Sequence, residues 1–521
     1  MKAPAAGHAA RGATQATAPG HATTRRVAVV GAGWAGLAAA VALHDRGYAV
    51  TVLEAGRTPG GRARRVTHAD FDLPLDNGQH ILLGAYSDTL ALMRRLGCDP
   101  DRLLARMPLA LASLDGAFRL RAPRLPAPLH AAYALLTARG LDGRARMAAL
   151  RLMRALQHAQ WQLPAADSVA DLLARHGQPD SAVRWLWEPL CLAALNTPIA
   201  QADAQLFAHV LRDSLAGKRA ASDLLLPRVD LSALWPDAAA ALCDVRYGVT
   251  VRLVEPSADG VRIDGDFYDA AILAVPPANA ARLLGAALGD DQVFTDGSMS
   301  GNGAAFDYDS KLADGSTLRD GSAAADVSTL ANGPALGAGS IVRRAPPMSG
   351  ADLAARLSSF EYSPIATLNL RLAAPWRLPM PMMMLREDAA RGHDGQWLFD
   401  RAALAGDTSR GELSIVVSAA APLADRLAQT DRESVMAPLI EQVREQAARG
   451  GLPPLPAMAH AELLVDKRAT FLATPGLARP GNATPWPALC LAGDWTDTGY
   501  PAALEGAVRS GQRAATLIAG R

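Results

Sequence analysis

Gly31, Gly33 and Gly36 are spaced G-x-G-x-x-G, Glu54 ends the next apolar run, and Gly60–Gly61–Arg62 follows closely behind it. Residues of these types in this order bind phosphate and ribose. Gly31 permits a tight turn, Gly33 lets the backbone approach a pyrophosphate, and Gly36 allows a helix to pack closely on a strand. Glu54 can accept hydrogen bonds from a ribose 2′-hydroxyl, and Arg62 can pair with a diphosphate oxygen. Far along the chain, Gly493–Asp494 places a second acid after an apolar run, where it can accept from a polyol. Together they predict a site for a dinucleotide.

The elements that must position these residues are legible around them. Val27–Val30 reads as a short buried strand, an Ala/Leu/Val helix follows the glycines, and Ala49–Leu53 reads as a second strand ending on Glu54. This is a βαβ unit of roughly 30 residues, and the helix N-terminus supplies unpaired N–H groups and a positive dipole end. Asp70–Tyr86 is strand-like with a polar centre, and from Thr89 to Asp237 the spacing is mostly helical. Strand character resumes at Gly248–Val254, Gly260–Ile263 and Ala270–Ala274, and again at Ala366–Leu372 and Glu412–Ser418. Ala488–Ala492 is a last strand, and Pro501 favours the start of a final helix.

The nucleotide-binding elements are therefore not contiguous. They are expected at residues 25–88, 240–290 and 461–521, with a substrate domain built from 89–239 and 350–460. Residues 290–350, rich in Gly, Ser, Asp and Ala, read as a flexible insertion, and residues 1–24 as a disordered tail without the apolar region of a signal peptide.

Composition removes several alternatives. The chain has 521 residues with 52 basic and 51 acidic side chains, a net charge of +1 that argues against nucleic-acid binding. Four cysteines without C-x-x-C spacing speak against a bound metal or a disulfide framework and for a reducing cytoplasm. No uninterrupted apolar run is long enough to span a bilayer. One stretch is unusual: Arg119–Arg154 holds eight arginines against the single acid Asp142, interleaved with apolar patches. It reads either as an ordinary helical hairpin or as a basic amphipathic element for an anionic membrane surface, at the inner face of the cytoplasmic membrane.

The segments GAGWAG with Glu54, GGR, the strand through Val251, AVPP, and LAGDWTDTGYPAALEGAVRSG resemble the FAD-dependent amine oxidase and phytoene desaturase superfamily. Three longer segments, Leu75–Gly97, Trp187–Leu215 and Leu224–Leu234, are similar to one branch of it, the hydroxysqualene dehydroxylases of squalene and hopanoid synthesis. The resemblance implies an α/β fold: a discontinuous Rossmann-type FAD-binding domain with an inserted mixed α+β substrate domain, as in amine oxidases. It implies FAD contacts at Gly31, Gly33, Trp34, Ala35, Gly36, Glu54, Gly61, Arg62, Gly78, Gln79, Val251, Gly493 and Asp494, with Ala503, Leu504 and Glu505 beside the isoalloxazine.

The reaction it implies is hydroxysqualene plus reduced FAD giving squalene, oxidised FAD and water, with an apolar triterpenoid as substrate and an electron donor outside the chain. Removing a hydroxyl needs an acid, because hydroxide is a poor leaving group. His80, Asp76 and Glu188 are the candidates, His80 first because its ordinary pKa lies near neutrality; Asn196 is placed to orient the substrate hydroxyl. A phytoene-type desaturase or a flavin amine oxidase on the same scaffold, and a prenyl-binding escort without redox function, are the competing readings.

Overall fold

A computed structural model describes residues 24–164, 166–288 and 349–520. Almost all of the expected tail and of the 290–350 insertion lies outside these residues.

Four short, mostly apolar runs and the more polar edge strand Asp244–Tyr247 form a five-stranded sheet in the order Asp244–Tyr247, Ala49–Glu54, Arg26–Val30, Ala270–Leu273, Leu489–Leu491. Every pairing is parallel, so both faces need cover. Helices Trp34–His44 and Leu504–Ala519 provide much of it, packing on each other and on the sheet. The approach is close enough to demand glycine. A Cβ on Gly36 would lie 2.0 Å from the Gly31 carbonyl oxygen, and one on Gly511 would lie 2.1 Å from that of Ala35.

A second, antiparallel sheet runs Met382–Met384, Trp397–Asp400, Gly411–Val417, Tyr362–Leu372, Met458–Phe471. Its long strand Tyr362–Leu372 alternates. Ala366, Leu368, Leu370 and Leu372 face a core shared with helix Arg432–Arg449, whose Val435, Leu439, Val443 and Ala447 make a stripe at four-residue spacing. Ile365 and Thr367 point the other way, towards the glycine-rich loops of the first sheet.

Four expectations need correction. Met458–Phe471 pairs with Tyr362–Leu372, so residues 461–471 belong to the second sheet and not with the nucleotide-binding elements. Asp70–Tyr86 is largely a loop, with only Leu75–Asp76 and Leu82–Leu83 extended and Gly78 at φ +102°. The edge strand of the parallel sheet is Asp244–Tyr247, before the expected Gly248–Val254; Gly248, at φ +72°, turns the chain out of it. Within the helical stretch, Leu104–Met107 and Leu224–Pro227 are strands paired with each other. A strand of four residues whose partner lies more than a hundred residues away leaves no local periodicity to read.

Glu505 ties the last helix to helix Ser87–Arg95. It is fully buried, and its carboxylate accepts from Asp88 N (3.0 Å), Thr89 N (3.0 Å), Thr89 Oγ1 (2.7 Å) and Arg509 Nε (3.0 Å). It therefore supplies from outside the N-terminal cap that Tyr86 cannot give. Replacing Glu505 with Ala strands the buried N–H and hydroxyl of Thr89 and the part-buried N–H of Asp88, while Arg509 keeps its ion pair with Asp88, and is expected to cost about 1–3 kcal/mol. Urea unfolding of the two proteins measures this; a loss below about 1 kcal/mol rejects the capping role.

Candidate functional site

The first strand and helix meet in a turn that only glycine can make. Gly31 has φ +104°, and a Cβ there would sit 2.5 Å from the Ala274 carbonyl oxygen. The Gly60–Gly61 turn folds back on this loop: Gly60 N donates to Ala32 O at 2.9 Å, and a Cβ on Gly61 would meet Gly33 Cα at 3.0 Å. Glu54 stands at the strand end with Oε2 accepting from Ala32 N (2.6 Å) and Oε1 from Gly56 N (2.6 Å). Trp34 points its indole inward, donating to Ala63 O at 3.0 Å and meeting the edge of Trp235.

These loops open on a cavity of about 480 Å³, within the range of ligand and cofactor sites. Gly31, Gly33, Trp34, Ala35, Glu54, Gly61 and Arg62 line it, and so do Gly78, Gln79, Val251, Gly493, Asp494, Ala503 and Leu504. Gly36 does not; its role is the close packing described above. Glu505 is also absent from the lining, since its carboxylate turns away to cap helix Ser87–Arg95. Five chain segments, from the first strand to the last helix, thus converge on one cradle of glycine backbone, a helix N-terminus and two acids. That donor set fits a dinucleotide with a ribose at one end and a polyol at the other.

Arg62 and Asp494, from opposite ends of the chain, meet here at 2.5 Å, with Arg62 Nη1 also donating to Ala469 O at 2.7 Å. Burial works against the guanidinium charge, but the Asp494 carboxylate outweighs it and holds the Arg62 pKa up. The loop that carries Asp494 is organised by a residue sequence reasoning missed. Buried Arg479 donates to the carbonyls of Asp494 (2.9 Å), Trp495 (3.2 Å) and Tyr500 (2.6 Å), and to that of Thr496. Its guanidinium lies over the Phe471 ring at 4.8 Å. Burial lowers its pKa to about 10, so it stays charged at neutral pH. Ala478–Arg479–Pro480 sits in no periodic pattern, and nothing local marked it.

The wall opposite the cradle is mostly apolar, built from Ile365, Val416, Leu464, Trp397 and Phe399 of the second sheet and Leu192 of helix Glu188–Leu195. Asn196 lines it too, at φ +49°, but its hydrogen-bonding groups are committed. Nδ2 donates to Ser363 O (3.1 Å) and Thr470 Oγ1 (2.9 Å), and Oδ1 accepts from Ala419 N (2.6 Å). It ties the helix end to the sheet, which replaces the expected role of orienting a substrate hydroxyl.

The three candidate acids part company. His80 lines the cavity, with Nδ1 2.7 Å from Gly78 O. That carbonyl needs a donor, so the ring proton belongs on Nδ1 and Nε2 is left to accept. Burial lowers its pKa and Arg62 adds to the effect, against the Gly78 carbonyl and Asp466, so the balance favours the neutral ring. Asp76 faces away into a separate small pocket beside Arg401 and accepts from Leu231 N at 2.8 Å. Glu188 starts helix Glu188–Leu195 and does not line the cavity; Asn196, at the helix's far end, is eight residues and about 12 Å further along. Asp76 and His80 are four residues apart in the sequence, but the turn at Gly78 sends them to different pockets, and the length of a helix separates Glu188 from Asn196 at the cavity.

Comparison with known proteins agrees with this geometry. The family model described as flavin containing amine oxidoreductase matches residues 34–331 and 311–519. A hydroxysqualene dehydroxylase of Rhodopseudomonas palustris is 28% identical over 95% of this chain and 98% of its own. One from Sinorhizobium fredii is 28% identical over the same shares, 95% and 98%. Among solved structures, a cyclohexylamine oxidase from Brevibacterium oxydans superposes with a TM-score of 0.57 at 18% identity, covering 95% of this chain and 99% of its own; the likeness is one of fold.

Asp76 gives a test of the local electrostatics. Burial pushes its pKa up to about 7, against the weaker opposing effects of the Leu231 N–H and Arg401. The folded protein therefore keeps a proton that an unfolded chain releases near pH 4. Stability from this group is fully present below pH 4, falls as pH rises to about 7, and levels off above. Asp76→Asn removes that slope. Urea melts at pH 5 and pH 8 are expected to show a smaller pH difference in the variant than in the parent; identical differences reject the assignment.

Proposed function

We propose, from the premise that the chain belongs to the flavin-containing amine oxidoreductase family and carries FAD, that it reductively removes the hydroxyl of hydroxysqualene. The balance is hydroxysqualene + FADH2 → squalene + FAD + H2O. The observation that supports this reading over an amine oxidase is the end-to-end similarity to hydroxysqualene dehydroxylases, which spans both sheets. Bound as FADH2, the cofactor supplies the hydride that replaces the hydroxyl.

The chain's own residues bind, orient and exclude water. The Gly31–Gly36 and Gly60–Arg62 turns receive the diphosphate, Glu54 the ribose, and Asp494 the polyol. The wall of Ile365, Val416, Leu464 and Phe399 accommodates a hydrocarbon and keeps water from a carbon that develops allylic-cation character. Neutral His80 presents Nε2 as an acceptor, suited to holding the hydrogen of a hydroxyl or of the departing water.

The stretch with many arginines acquires a purpose in this reading. Helix Leu129–Thr137 exposes Leu129 (59%), Tyr133 (49%) and Leu136 (47%), with Leu125 and Met147 exposed beside it. Arg119, Arg121, Arg124, Arg139, Arg144 and Arg151 are exposed on the same stretch, and no helix of the described residues is long and apolar enough to cross a membrane. An apolar face among arginines suits an anionic membrane surface, where a triterpenoid dissolves; each arginine near it contributes about 1 kcal/mol. We place the enzyme at the inner face of the cytoplasmic membrane.

Two experiments test these statements. Photoreduced, FAD-loaded enzyme mixed anaerobically with hydroxysqualene is expected to reoxidise its flavin in step with squalene formation. Persisting reduced flavin with unchanged substrate rejects dehydroxylation and turns attention to oxidised enzyme with polyenes or amines, and a protein that takes up no FAD revives the escort reading. Co-sedimentation with phosphatidylglycerol-rich vesicles is expected for the parent chain, and to be lost at 1 M salt and in the L129D/L136D variant. Binding indifferent to both salt and substitution rejects the membrane face.

A further inference from the structure

One pattern occurs twice, far apart in the chain: His68–Ala69–Asp70 and His460–Ala461–Glu462. The second copy is on strand Met458–Phe471, where alternation puts His460, Glu462 and Leu464 on one face. The first copy is on the loop that follows strand Arg65–Val66, and this loop lies against that face. Phe71 is buried there in a small core with Leu75 and Leu464. The rings of His68 and His460 both meet Phe71 edge to face, with centroids 5.6 Å and 5.4 Å away, and lie 5.3 Å from each other. Packing thus holds both imidazoles with one nitrogen each towards Asp70.

Asp70 Oδ2 lies 3.7 Å from His68 Nδ1 and 3.6 Å from His460 Nε2. One nitrogen of each ring and one Asp70 oxygen all fall within 4.8 Å of one another. The separations from Asp70 are too long for hydrogen bonds, and His460 Nε2 is a buried atom with no hydrogen-bond partner. They are close to the spacing of donors around a tetrahedral ion, where bonds of about 2.0–2.1 Å set neighbouring donors about 3.4 Å apart. His68 Nδ1 accepts from Asp70 N at 3.3 Å, so the ring proton belongs on Nε2, which faces Glu462 Oε2 at 3.8 Å. A ligating histidine usually presents its other ring N–H to a carboxylate in this way. The second Glu462 oxygen, Oε1, is engaged by Arg432 at 3.2 Å.

We propose that His68 Nδ1, Asp70 Oδ2 and His460 Nε2 bind one divalent transition-metal ion of the zinc type, with Glu462 orienting the His68 ring. Two imidazoles and a carboxylate suit zinc; magnesium and calcium take oxygen donors. The Asp70 side chain is 52% exposed, which leaves the ion a route from solvent and a water to complete its coordination. The scarcity of cysteine says nothing about such a site, because its donors are imidazole and carboxylate. Once bound, the ion clasps the loop behind Gly60–Arg62 to the strand whose Leu464 and Asp466 line the cavity. Cradle and wall are then tied to each other outside the cavity itself. The site stands apart from the dehydroxylase reading and survives its failure.

The FAD-loaded full chain, freed of metal with a chelator, is titrated calorimetrically with zinc chloride. One zinc per chain is expected to bind, and His68→Ala and His460→Ala are each expected to weaken it about tenfold or more. Sites made by other histidines respond to neither substitution, so the difference between parent and variants isolates this one. Zinc is also expected to raise the Tm of the parent and to leave those of the variants unchanged. Asp70→Asn alters a half-exposed side chain without touching the ring packing, so it repeats the test should a histidine variant fold poorly, with the same loss expected. Zinc affinity unchanged in the variants, no parent binding below about 100 μM, or a Tm response to magnesium equal to that for zinc overturns the site.

Discussion

Close approach of backbone to backbone at the first glycine loop is the constraint on which the rest of the molecule depends. At Gly31, Gly36 and Gly511 a single added Cβ would come within 2.5 Å of a carbonyl oxygen. No side-chain rearrangement relieves such a contact, because the obstructing atoms are main chain. Once these glycines are in place, the first helix can lie against its strand, the last helix can lie against the first, and strand Ala270–Leu273 can pass beside the turn. The cradle is the space left above that packing.

The second sheet answers a different demand. One face is a conventional core against helix Arg432–Arg449, and the other closes the cavity. Its strands come from residues 362–471, with the last of them leading the chain back towards the first sheet. Two polar hubs hold the halves in register: Asn196 joins helix Glu188–Leu195 to the sheet, and Arg479 gathers the carbonyls of the loop bearing Asp494. Both spend most of their hydrogen bonds on main-chain groups, which is how an irregular loop becomes a defined site.

Electrostatics sort the titratable groups by depth more than by neighbour. Arg62 keeps its charge because Asp494 faces it; Asp76 and His80, whose opposing partners are weaker, are pushed towards their neutral forms. The cavity therefore combines charge at the Arg62–Asp494 pair with a ring at His80 that favours its neutral form. That division suits a chemistry in which an anionic cofactor is held at one side and an uncharged lipid at the other.

The cradle was legible in the sequence because its signals are local: glycines at a fixed spacing, an acid one strand later, Gly-Gly-Arg behind it, and an acid before the last helix. Each depends on a few consecutive residues whose φ, size or charge has a single use. Four strands of the parallel sheet were legible for the same reason, since they are apolar runs with clear stops; the edge strand Asp244–Tyr247, short and mostly polar, was not. What only the tertiary structure decided are facts about direction and long-range pairing. The turn at Gly78 sends His80 into the cavity and Asp76 away from it, one helix carries Glu188 about 12 Å from Asn196, and Met458–Phe471 takes its place beside Tyr362–Leu372. His68 and Asp70 meet His460 only because their loop lies against a strand from far along the chain, and Arg479 matters only because a loop from elsewhere folds around it. A sequence records residue types in order; which of them share a face is set by packing between segments far apart in that order.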